Sequence, residues 1–541
     1  MATVPLRTQL LQRAAAALQS GARGEATALC QQVLSQFGED ANALMVMGVV
    51  RQEEGDALGA VVHLERAREL MPSHIHVLVN LGSAYRAIGR LHEARMALEA
   101  ALQIDRRFAI AHNNLGNVLL DLGDRENAKR EYERAVVGQP SYAEPIAGLA
   151  RIAEEEHRLD DARRFSERAL NVGPQNVSAQ LTRARVMSRD GRNDLAVPAL
   201  ETLLRSDALT PTNRVVAEGY LGEAYDKLGR FDDAFAAFRR ANALQYSQFA
   251  QVFGNDQGPL APGSVNRLRD FVGCTDALSW SQAPPVEGRV PVFLIGFPRS
   301  GTTLLDQILA SHPRVTTLEE RDTLAGPAEA LFKPSGGFEH WASLSDDEIE
   351  RLRALYWQQA NAGLLGAPIK DVFVDKLPLN AIYLPLIYRL FPGAKIIFAI
   401  RDPRDVVLSC YQQRFGMNTA MFQLLRLDSA VAYYDAVMNL VRVSREKLPL
   451  DLHEVRYESV VGDFDTTVRT LLEFLGLEWD NAVRDYASTA KSRTIGTPSS
   501  NQVIQPLYSS AQGKWRNYRR FLEPHLAALE PWVRAFGYAP S

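Results

Sequence analysis

The 541-residue chain has little cysteine: Cys30, Cys274 and Cys410 are its only three, and no two of them lie close together in the sequence. This spacing excludes a disulfide framework and gives no zinc-binding pattern, so we expect a reducing, cytoplasmic compartment. Net charge is also small, because 60 Lys and Arg nearly balance 64 Asp and Glu, leaving -4. The chain as a whole therefore has no field that would attract nucleic acid, and any anion site must be local.

Long apolar runs are absent as well. No stretch approaches the roughly 18 consecutive apolar residues of a membrane-spanning helix, so we expect no membrane span. Hydrophobic residues still make up 46% of the chain and charged residues 23%, which is ordinary for a globular protein. We therefore expect folded domains rather than bulk disorder.

Small residues recur at a fixed interval in the first half of the chain. They are Gly21, Gly55, Gly89, Gly123, Gly191 and Gly229, with Ala26, Ala60, Ala94, Ala128, Ala162, Ala196 and Ala234. Most intervals are 34 residues, the period of tetratricopeptide helix pairs. The segment NLGSAYRAIGRLHEARMALEAALQID (80–105) resembles the tetratricopeptide family. The resemblance covers residues 8–244 and implies an all-α tetratricopeptide superhelix whose concave face binds a protein or peptide.

The second half of the chain has a different pattern. Glycine and proline in QGPLAPGS and QAPPVEG predict a linker over residues 245–289. From 290 to 541, the apolar strands VPVFLIGF, FVDK, AKIIFAIRD and LHEVRYESV alternate with helical segments such as LNAIYLPLIYRLF. This alternation predicts an α/β domain with a mostly parallel sheet, in which ligands bind at the carboxyl ends of the strands.

A candidate anion-binding loop, PRSGTT, follows the first of these strands and precedes a helix predicted from about residue 302. The expected ligands are the backbone N–H groups and polar side chains of this loop: Arg299, Ser300, Gly301, Thr302 and Thr303. The lysine of a triphosphate-binding loop is missing, which argues against a kinase or an ATPase. A single terminal phosphate fits this loop better.

A second anion signal lies in AKIIFAIRDPRDVVLSCYQQR. Arg401 ends a strand, and Ser409 follows eight residues later on a helix predicted to start near Asp405. Such a pair can clamp another phosphate. Taken alone, RDPRD is more typical of a solvated charged turn in which Asp405 caps a helix.

Together these stretches resemble the sulfotransferase family, and most closely the tyrosylprotein sulfotransferases, from about residue 290 to 520. The matching motifs are PRSGTTLLDQILASHPRVTTLEE, DKLPLNAIYLPLIYRLFPGAKIIFAIRDPRDVVLS, RYES, and SSNQVIQP followed by GKW. The resemblance implies a P-loop-like sulfotransferase fold and the donor 3′-phosphoadenosine 5′-phosphosulfate. Its 5′-phosphate would lie in the PRSGTT loop, and its 3′-phosphate would be held by Arg401 and Ser409.

The same resemblance implies individual roles. Glu320 resembles the general base, Arg299 the residue that stabilises the sulfuryl oxygens, and Lys376 the one that neutralises the leaving oxygen. The remaining residues would support the donor site: Ser499 and Lys514 as helpers from a late loop, and Tyr457 as a wall of the pocket. Sulfuryl transfer to a tyrosine needs a basic side chain, since a phenol with a pKa of about 10 must lose its proton to a base. Sulfuryl carries less charge than phosphoryl, so no metal is required, and the sequence signals none.

Each of these roles has a structural alternative. Glu319 and Glu320 could form a solvated helix start, Lys376 could be a surface residue near a strand end, and Lys514 an exposed charge beside Trp515. The stretch Glu319-Glu320-Arg321-Asp322 also departs from the family pattern, in which Glu-Glu is followed by Thr-Arg and that Arg helps to receive acidic peptides. Preference for acidic tyrosine motifs is therefore in question.

Three functions stay open. The favoured one is a protein-tyrosine sulfotransferase whose repeat array recruits a protein substrate or partner. The second is a sulfotransferase of a glycan, lipid or small molecule, with the array serving assembly, and the third is a non-enzymatic repeat scaffold with a nucleotide-binding domain. A homodimer also stays open.

Overall fold

The computed structural model of the chain describes residues 5–206, 209–276, 280, 283–284, 286, 288–332, 338–492 and 512–540. These residues form two compact units, Met1–Leu203 and Leu204–Ser541. The domain limits predicted from the repeat pattern (8–244, 245–289 and 290–541) stay predictions beside this division.

The first unit is built from consecutive antiparallel helix pairs, so the predicted all-α repeat architecture is confirmed. Its helices are α1 (Leu6–Gln19), α2 (Arg23–Phe37), α3 (Ala41–Glu53), α4 (Ala57–Leu70), α5 (Ile75–Ala87), α6 (Leu91–Ile104), α7 (Ala109–Asp121), α8 (Arg125–Gly138), α9 (Ala143–Glu155), α10 (Leu159–Val172), α11 (Val177–Arg189) and α12 (Asn193–Leu204).

The recurring small residues are packing positions. The alanines of the repeat, such as Ala26, Ala60 and Ala94, are 0% exposed. A Cβ atom at Gly48 would lie 2.6 Å from Cγ of Leu64 in the paired helix. Such a contact is far inside van der Waals separation, so the two helices approach closely only because the side chain is missing.

One repeat has no glycine at its turn, although the alanine series includes this repeat through Ala162. Gly123 and Gly191 end the first helices of their repeats with φ of 83° and 80°. His157 lies 34 residues from each of them and adopts the same left-handed backbone, with φ of 62°. Its ring nitrogen contacts the guanidinium of Arg189. The repeat therefore continues through a turn where a non-glycine residue accepts a conformation that costs about 1 kcal/mol.

The second unit begins with one more helix pair and continues into the α/β domain. Its elements before the last strand are α13 (Pro211–Lys227), α14 (Phe231–Phe253), α15 (Pro262–Cys274), β1 (Val292–Gly296), α16 (Thr302–Ser311), β2 (Val315–Glu319), α17 (Ala325–Leu331), α18 (Glu339–Ala342), α19 (Asp346–Gly363), β3 (Val372–Lys376), a 3₁₀ segment (Pro378–Tyr383), α20 (Leu384–Leu390), β4 (Lys395–Ile400), α21 (Pro403–Gln412), α22 (Thr419–Gln423) and α23 (Leu427–Lys447). The last part contains β5 (Asp451–Arg456), α24 (Tyr457–Gly462), α25 (Phe464–Leu475), α26 (Tyr486–Ser492), and α27 (Arg519–Ala535), with 3₁₀ segments at Asn481–Asp485 and Lys514–Tyr518.

The sheet of this domain is parallel, as predicted. Within the described residues it has five strands in the order β2-β3-β1-β4-β5. The edge strand β2 (Val315–Glu319) was not among the four strands predicted from the sequence. Because all strands run the same way, the segments after β1, β2 and β3 leave the sheet at one edge.

Alternation along β3 distributes its side chains to the two faces of the sheet. Phe373 belongs to the apolar core on one face, and Val374 to the core on the other. By the same alternation, Asp375 shares the face of Phe373, and Lys376 the face of Val374. Two ionisable residues therefore enter the interior at the end of this strand.

The last helix pair packs on the α/β domain within the second unit. Asn242 on α14 donates a hydrogen bond from Nδ2 to the backbone oxygen of Tyr411, at 2.9 Å. The ring of Phe235 stacks on Phe521 with centroids 3.8 Å apart. Although these helices continue the repeat pattern, they form one compact body with the sheet domain.

None of the described helices combines the length and the hydropathy required to cross a bilayer.

Candidate active site

The loop after β1 has the backbone of an anion cradle. Arg299 and Gly301 adopt left-handed conformations, with φ of 71° and 98°, and α16 begins at Thr302. A Cβ atom at residue 301 would lie 2.9 Å from Cδ2 of Tyr457, so only glycine fits there. A turn of this kind, followed by a helix N-terminus, directs backbone N–H groups toward one point.

The two predicted anion-binding segments meet in space. Nε of Arg299 donates to Oγ of Ser409 at 3.0 Å, and Nη1 of Arg401 donates to the backbone oxygen of Arg299 at 3.2 Å. The guanidinium of Arg401 also lies over the ring of Tyr457, 5.0 Å from its centroid. The structure therefore brings Arg401, Ser409 and Tyr457 next to the loop that contains Arg299, and their roles stay predictions.

The interpretation of RDPRD as a solvated turn is wrong, because residues 401–405 are all buried. The helix begins at Pro403 and is capped by Asp402, whose Oδ1 accepts from the backbone N–H of Arg404 at 3.0 Å. Asp405 has another task. Its carboxylate accepts backbone N–H groups of the 513–515 segment at 2.6 and 2.8 Å.

Glu320 follows β2 and forms an ion pair with Lys376. Its φ is 44°, and its backbone N–H donates to the backbone oxygen of Lys376 at 2.8 Å. Nζ of Lys376 lies 2.9 Å from Oε1 of Glu320 and 3.4 Å from Oε1 of Glu319. The alternative of a solvated helix start is therefore wrong: Glu319 ends a strand, and Glu320 is held in a left-handed turn.

Lys376 is not a surface residue, since it is 0% exposed. Burial acts to lower the pKa of its ammonium group, but the carboxylates of Glu320, Asp306 and Glu319 outweigh it, and the pKa is raised above the ordinary value. Lys376 therefore stays positively charged at neutral pH although it is buried at the end of its strand.

Asp375 is a buried acid that the sequence predictions did not include. Its Oδ2 accepts hydrogen bonds from Oγ1 of Thr323 at 2.5 Å and from the hydroxyl of Tyr356 at 3.0 Å. Burial raises its pKa to about 7, and the two hydrogen bonds only partly offset this effect. Through Thr323, Asp375 anchors the segment that carries Glu320.

A cavity of about 260 Å³ opens where these segments meet. Its lining combines the anion loop, the segment after β2 and an apolar wall: Leu260, Pro298, Arg299, Gly301, Thr302, Thr303, Glu320, Asp322, Leu377, Pro378, Leu379, Tyr383, Phe415, Asn418 and Met421. The candidate anion loop, two carboxylates and a guanidinium therefore face one small space bounded by aliphatic and aromatic side chains. This is the arrangement expected for transfer of an anionic group to an apolar acceptor.

Three further predicted residues, Ser300, Lys514 and Ser499, are not among the described residues that line the cavity. Ser300 is buried in the loop but does not line the cavity. Nζ of Lys514 lies 2.7 Å from Oδ2 of Asp226 on α13 and 3.3 Å from Oε1 of Gln412, so it is not simply an exposed charge. Ser499 falls outside the described residues. The roles of all three stay predictions.

The sequence contained a signal for one missed residue. Asp375 stands in the strand FVDK, where a period of two places it on the buried face with Phe373. For Asp322 the departure from the family pattern was visible, but its place in the cavity was not. In the described part of the chain, no group of three or more His, Cys, Asp or Glu side chains is arranged to hold a metal ion; the metal-free site stays a prediction.

Comparisons with known families agree with this organisation. Residues 291–481 match the Sulfotransferase family. Residues 82–123 match a TPR repeat, and residues 221–247 a tetratricopeptide repeat.

Several known proteins are similar to this chain in sequence, at low identity. An uncharacterized protein of Aquifex aeolicus is 27% identical over 414 residues, which cover 72% of this chain and 51% of that protein; the chain thus spans about half of its length. Protein-tyrosine sulfotransferase 1 of Danio rerio is 25% identical over 260 residues, covering 46% of this chain and 72% of that protein. Protein-tyrosine sulfotransferase A of Caenorhabditis elegans is 26% identical over 264 residues, covering 46% and 67%.

Solved structures of repeat proteins resemble part of the chain. A tetratricopeptide repeat protein of Parabacteroides merdae is 15% identical, with a TM-score of 0.36, and the match covers 44% of this chain and 93% of that chain. A TPR protein of Thermus thermophilus is 21% identical, with a TM-score of 0.31, covering 34% and 99%.

Proposed function

Since the chain carries tetratricopeptide repeats and a sulfotransferase-family domain, we propose that it transfers a sulfuryl group from 3′-phosphoadenosine 5′-phosphosulfate to a hydroxyl acceptor, and that this acceptor is a protein tyrosine. The repeats would recruit the protein that carries the tyrosine. The cysteines of this chain are free rather than paired in disulfides. This fits a cytoplasmic location, which is part of the proposal.

The observation that carries the proposal is the placement of Arg299 and Glu320. Both line the cavity beside the anion loop, and both hold a left-handed backbone, with φ of 71° and 44°. Such a conformation costs a non-glycine residue about 1–2 kcal/mol. Strain at two positions that converge on one cavity is typical of a catalytic site.

The loop fits a donor with two phosphate groups. Gly301 lets Tyr457 pack against the loop just before the N-terminus of α16, and the hydroxyls of Thr302 and Thr303 would be donors to the first phosphate. Arg401 and Ser409 both contact Arg299 and would hold the second phosphate. The bound donor would supply an activated sulfuryl group.

The residues of the chain would then divide the work of an in-line transfer. Glu320 accepts the proton of the acceptor hydroxyl while the acceptor oxygen forms its bond to sulfur. Arg299 stabilises the charge on the outer sulfuryl oxygens. Lys376 neutralises the bridging oxygen as its bond to sulfur breaks, and it orients Glu320 through the 2.9 Å ion pair. The products are a sulfate ester and 3′-phosphoadenosine 5′-phosphate.

The tyrosine acceptor is supported by the relatives whose names describe protein-tyrosine sulfotransferases. The apolar wall formed by Leu379, Tyr383, Phe415 and Met421 suits the ring of a phenol. The same wall would also accept a lipid or a small aromatic alcohol, which is the second candidate function. A simple phenol tested beside tyrosine peptides separates the two.

The groove of the first unit supports a recruiting role for the repeats. A cavity of about 350 Å³ lies against α3, α5 and α7. Its polar lining comes from the first helices of three successive repeats: Gln52, Ser83, Arg86, Asn114, Asn117 and Asp121. Amide and hydroxyl groups in such a row can pair with the backbone of an extended peptide.

The proposed function is tested by transfer of labelled sulfate to a library of tyrosine peptides. Because Glu320→Gln removes the base while preserving side-chain volume, we expect turnover to fall by about 10²- to 10⁴-fold. Glu329→Gln, at an exposed position on α17 outside the cavity, is the matched control and should keep its turnover. Equal activity in the wild type and Glu320→Gln would show that Glu320 is not the base.

A further inference from the structure

The cavity is lined by more acidic than basic side chains. Among the described residues that line it there are two carboxylic acids and one guanidinium: Glu320, Asp322 and Arg299. We infer that Asp322 selects the acceptor, favouring hydroxyls flanked by neutral or basic residues and disfavouring those flanked by acidic residues. This inference rests on the proposed function.

The neighbouring arginine does not balance Asp322 inside the cavity. The side chain of Arg321 packs against α19, where a Cβ atom added at Gly363 would lie 3.0 Å from Cγ of Arg321. Arg321 is absent from the cavity lining, whereas Asp322 is part of it. Two adjacent residues of opposite charge thus leave the same turn in different directions, and the carboxylate faces the acceptor space.

The other two cations of the site lie in the donor loop or in the interior. Arg299 belongs to the anion loop and donates to Ser409 at 3.0 Å. Lys376 is 0% exposed and lies between two glutamates. An acidic group entering with the acceptor would therefore meet two carboxylates against one guanidinium in the described lining.

The turn that carries Asp322 is held in place by contacts of the residues on either side of it in the sequence. Thr323, the next residue, is 0% exposed and donates to buried Asp375 at 2.5 Å. Glu320, two residues earlier, is held by the backbone and side chain of Lys376. Asp322 is exposed as a residue, but its carboxyl is partly desolvated, which raises its pKa, and it is held by a hydrogen bond from the backbone N–H of Ala325, so its place at the cavity is fixed.

The expected selectivity follows from the interaction of like charges. A second negative charge a few ångströms from a partly solvated carboxylate is disfavoured by an amount that corresponds to about tenfold in kcat/KM. Because charges at the mouth of a cavity are screened by salt, the discrimination should shrink at high ionic strength. A preference that comes from shape alone would not respond to salt.

The test compares three tyrosine peptides of equal length with acidic, neutral or basic flanks, using labelled-sulfate transfer by the full chain at low and high salt. For the wild type we expect kcat/KM for the acidic peptide to be about tenfold below that for the neutral peptide, with the basic peptide at or above the neutral one. Asp322→Asn should reduce the neutral-to-acidic ratio to about twofold, and Asp322→Arg should reverse it. Glu329→Gln, which removes a charge outside the cavity, should keep the wild-type ratio.

The outcomes separate the inference from the proposed function. Transfer to all three peptides with the acidic one preferred, or a ratio unaffected by Asp322→Asn, would overturn the inference and leave the proposed function standing. Transfer to no tyrosine peptide, although 3′-phosphoadenosine 5′-phosphate binds, would overturn the tyrosine acceptor and the inference with it. Binding of that nucleotide to each variant, measured by calorimetry, shows that a changed ratio does not come from a damaged donor site.

Discussion

Asp375 should make the stability of the second unit depend on pH. Its pKa is raised from 3.8 to about 7 in the folded protein, chiefly because burial disfavours the carboxylate. The folded state therefore holds a proton that the unfolded chain releases. Asp375→Asn carries an amide that cannot ionise and whose oxygen can still accept the hydrogen bonds of Thr323 and Tyr356.

The size and sign of the effect follow from linkage. A shift of roughly 3 units at about 1.4 kcal/mol each amounts to roughly 4 kcal/mol of unfolding free energy. Because the folded pKa is raised, this contribution is fully present below pH 3.8 and is lost as the pH rises through about 7. Asp375→Asn should therefore gain stability relative to the wild type between about pH 4 and pH 7.5, by up to this amount.

Urea unfolding followed by tryptophan fluorescence measures this difference. All six tryptophans lie between Trp280 and Trp532, so the signal reports the second unit. The matched control is Asp371→Asn, an exposed acid paired with Arg314 at 2.6 Å, whose difference from the wild type should change little with pH. If the difference between Asp375→Asn and the wild type were the same at pH 5 and pH 8, Asp375 would not be the proton-binding group.

Two further substitutions test the loop and the last helix pair. In Gly301→Ala the added methyl group meets Tyr457 at 2.9 Å with φ at 98°, so binding of 3′-phosphoadenosine 5′-phosphate should weaken by at least about tenfold in calorimetry; Gly393→Ala, where a Cβ meets open space, should bind as the wild type does. Asn242→Ala removes a buried hydrogen bond to the Tyr411 backbone, which should cost about 1–3 kcal/mol in the fluorescence-detected unfolding of the second unit. An unchanged midpoint in Asn242→Ala would mean that α14 does not stabilise the sheet domain.

The periodic parts of the chain could be predicted because their cause is local. Small residues every 34 positions predicted the helix pairs, and the buried alanines and the Gly48 contact show why they recur. At His157 the glycine of the turn is replaced by a residue that adopts a left-handed backbone less easily, and only the alanine series, through Ala162, marks that repeat. A repeat is recognised more securely from several recurring positions than from one.

The edge of the sheet domain was harder to predict from the sequence than its centre. The apolar strands were predicted, but β2, the edge strand VTTLE, is short and polar and was missed. The predicted helix LNAIYLPLIYRLF divides into a 3₁₀ segment and α20, since Pro385 has no N–H group to continue a helix from the preceding turn. Short elements depend on tertiary packing more than on their own sequence.

The site residues were found mostly through family motifs, and their partners were not. Glu320 and Lys376 were predicted separately; their 2.9 Å ion pair depends on β2 lying beside β3, a strand pairing that no local pattern contained. Asp322 likewise gained a role only when the structure placed it in the cavity and Arg321 against α19. Contacts between residues that lie far apart in the chain are the feature that a single sequence predicts least well.

Calorimetric titration of 3′-phosphoadenosine 5′-phosphate into the full chain tests the central claim most directly. The nucleotide should bind the wild type and Glu320→Gln and should lose most of its affinity in Arg401→Ala, with Arg442→Ala, at an exposed arginine on α23, as the control that keeps binding. Absence of binding to the wild type, or equal binding in Arg401→Ala, would contradict a donor site built from the loop after β1 and the Arg401–Ser409 segment.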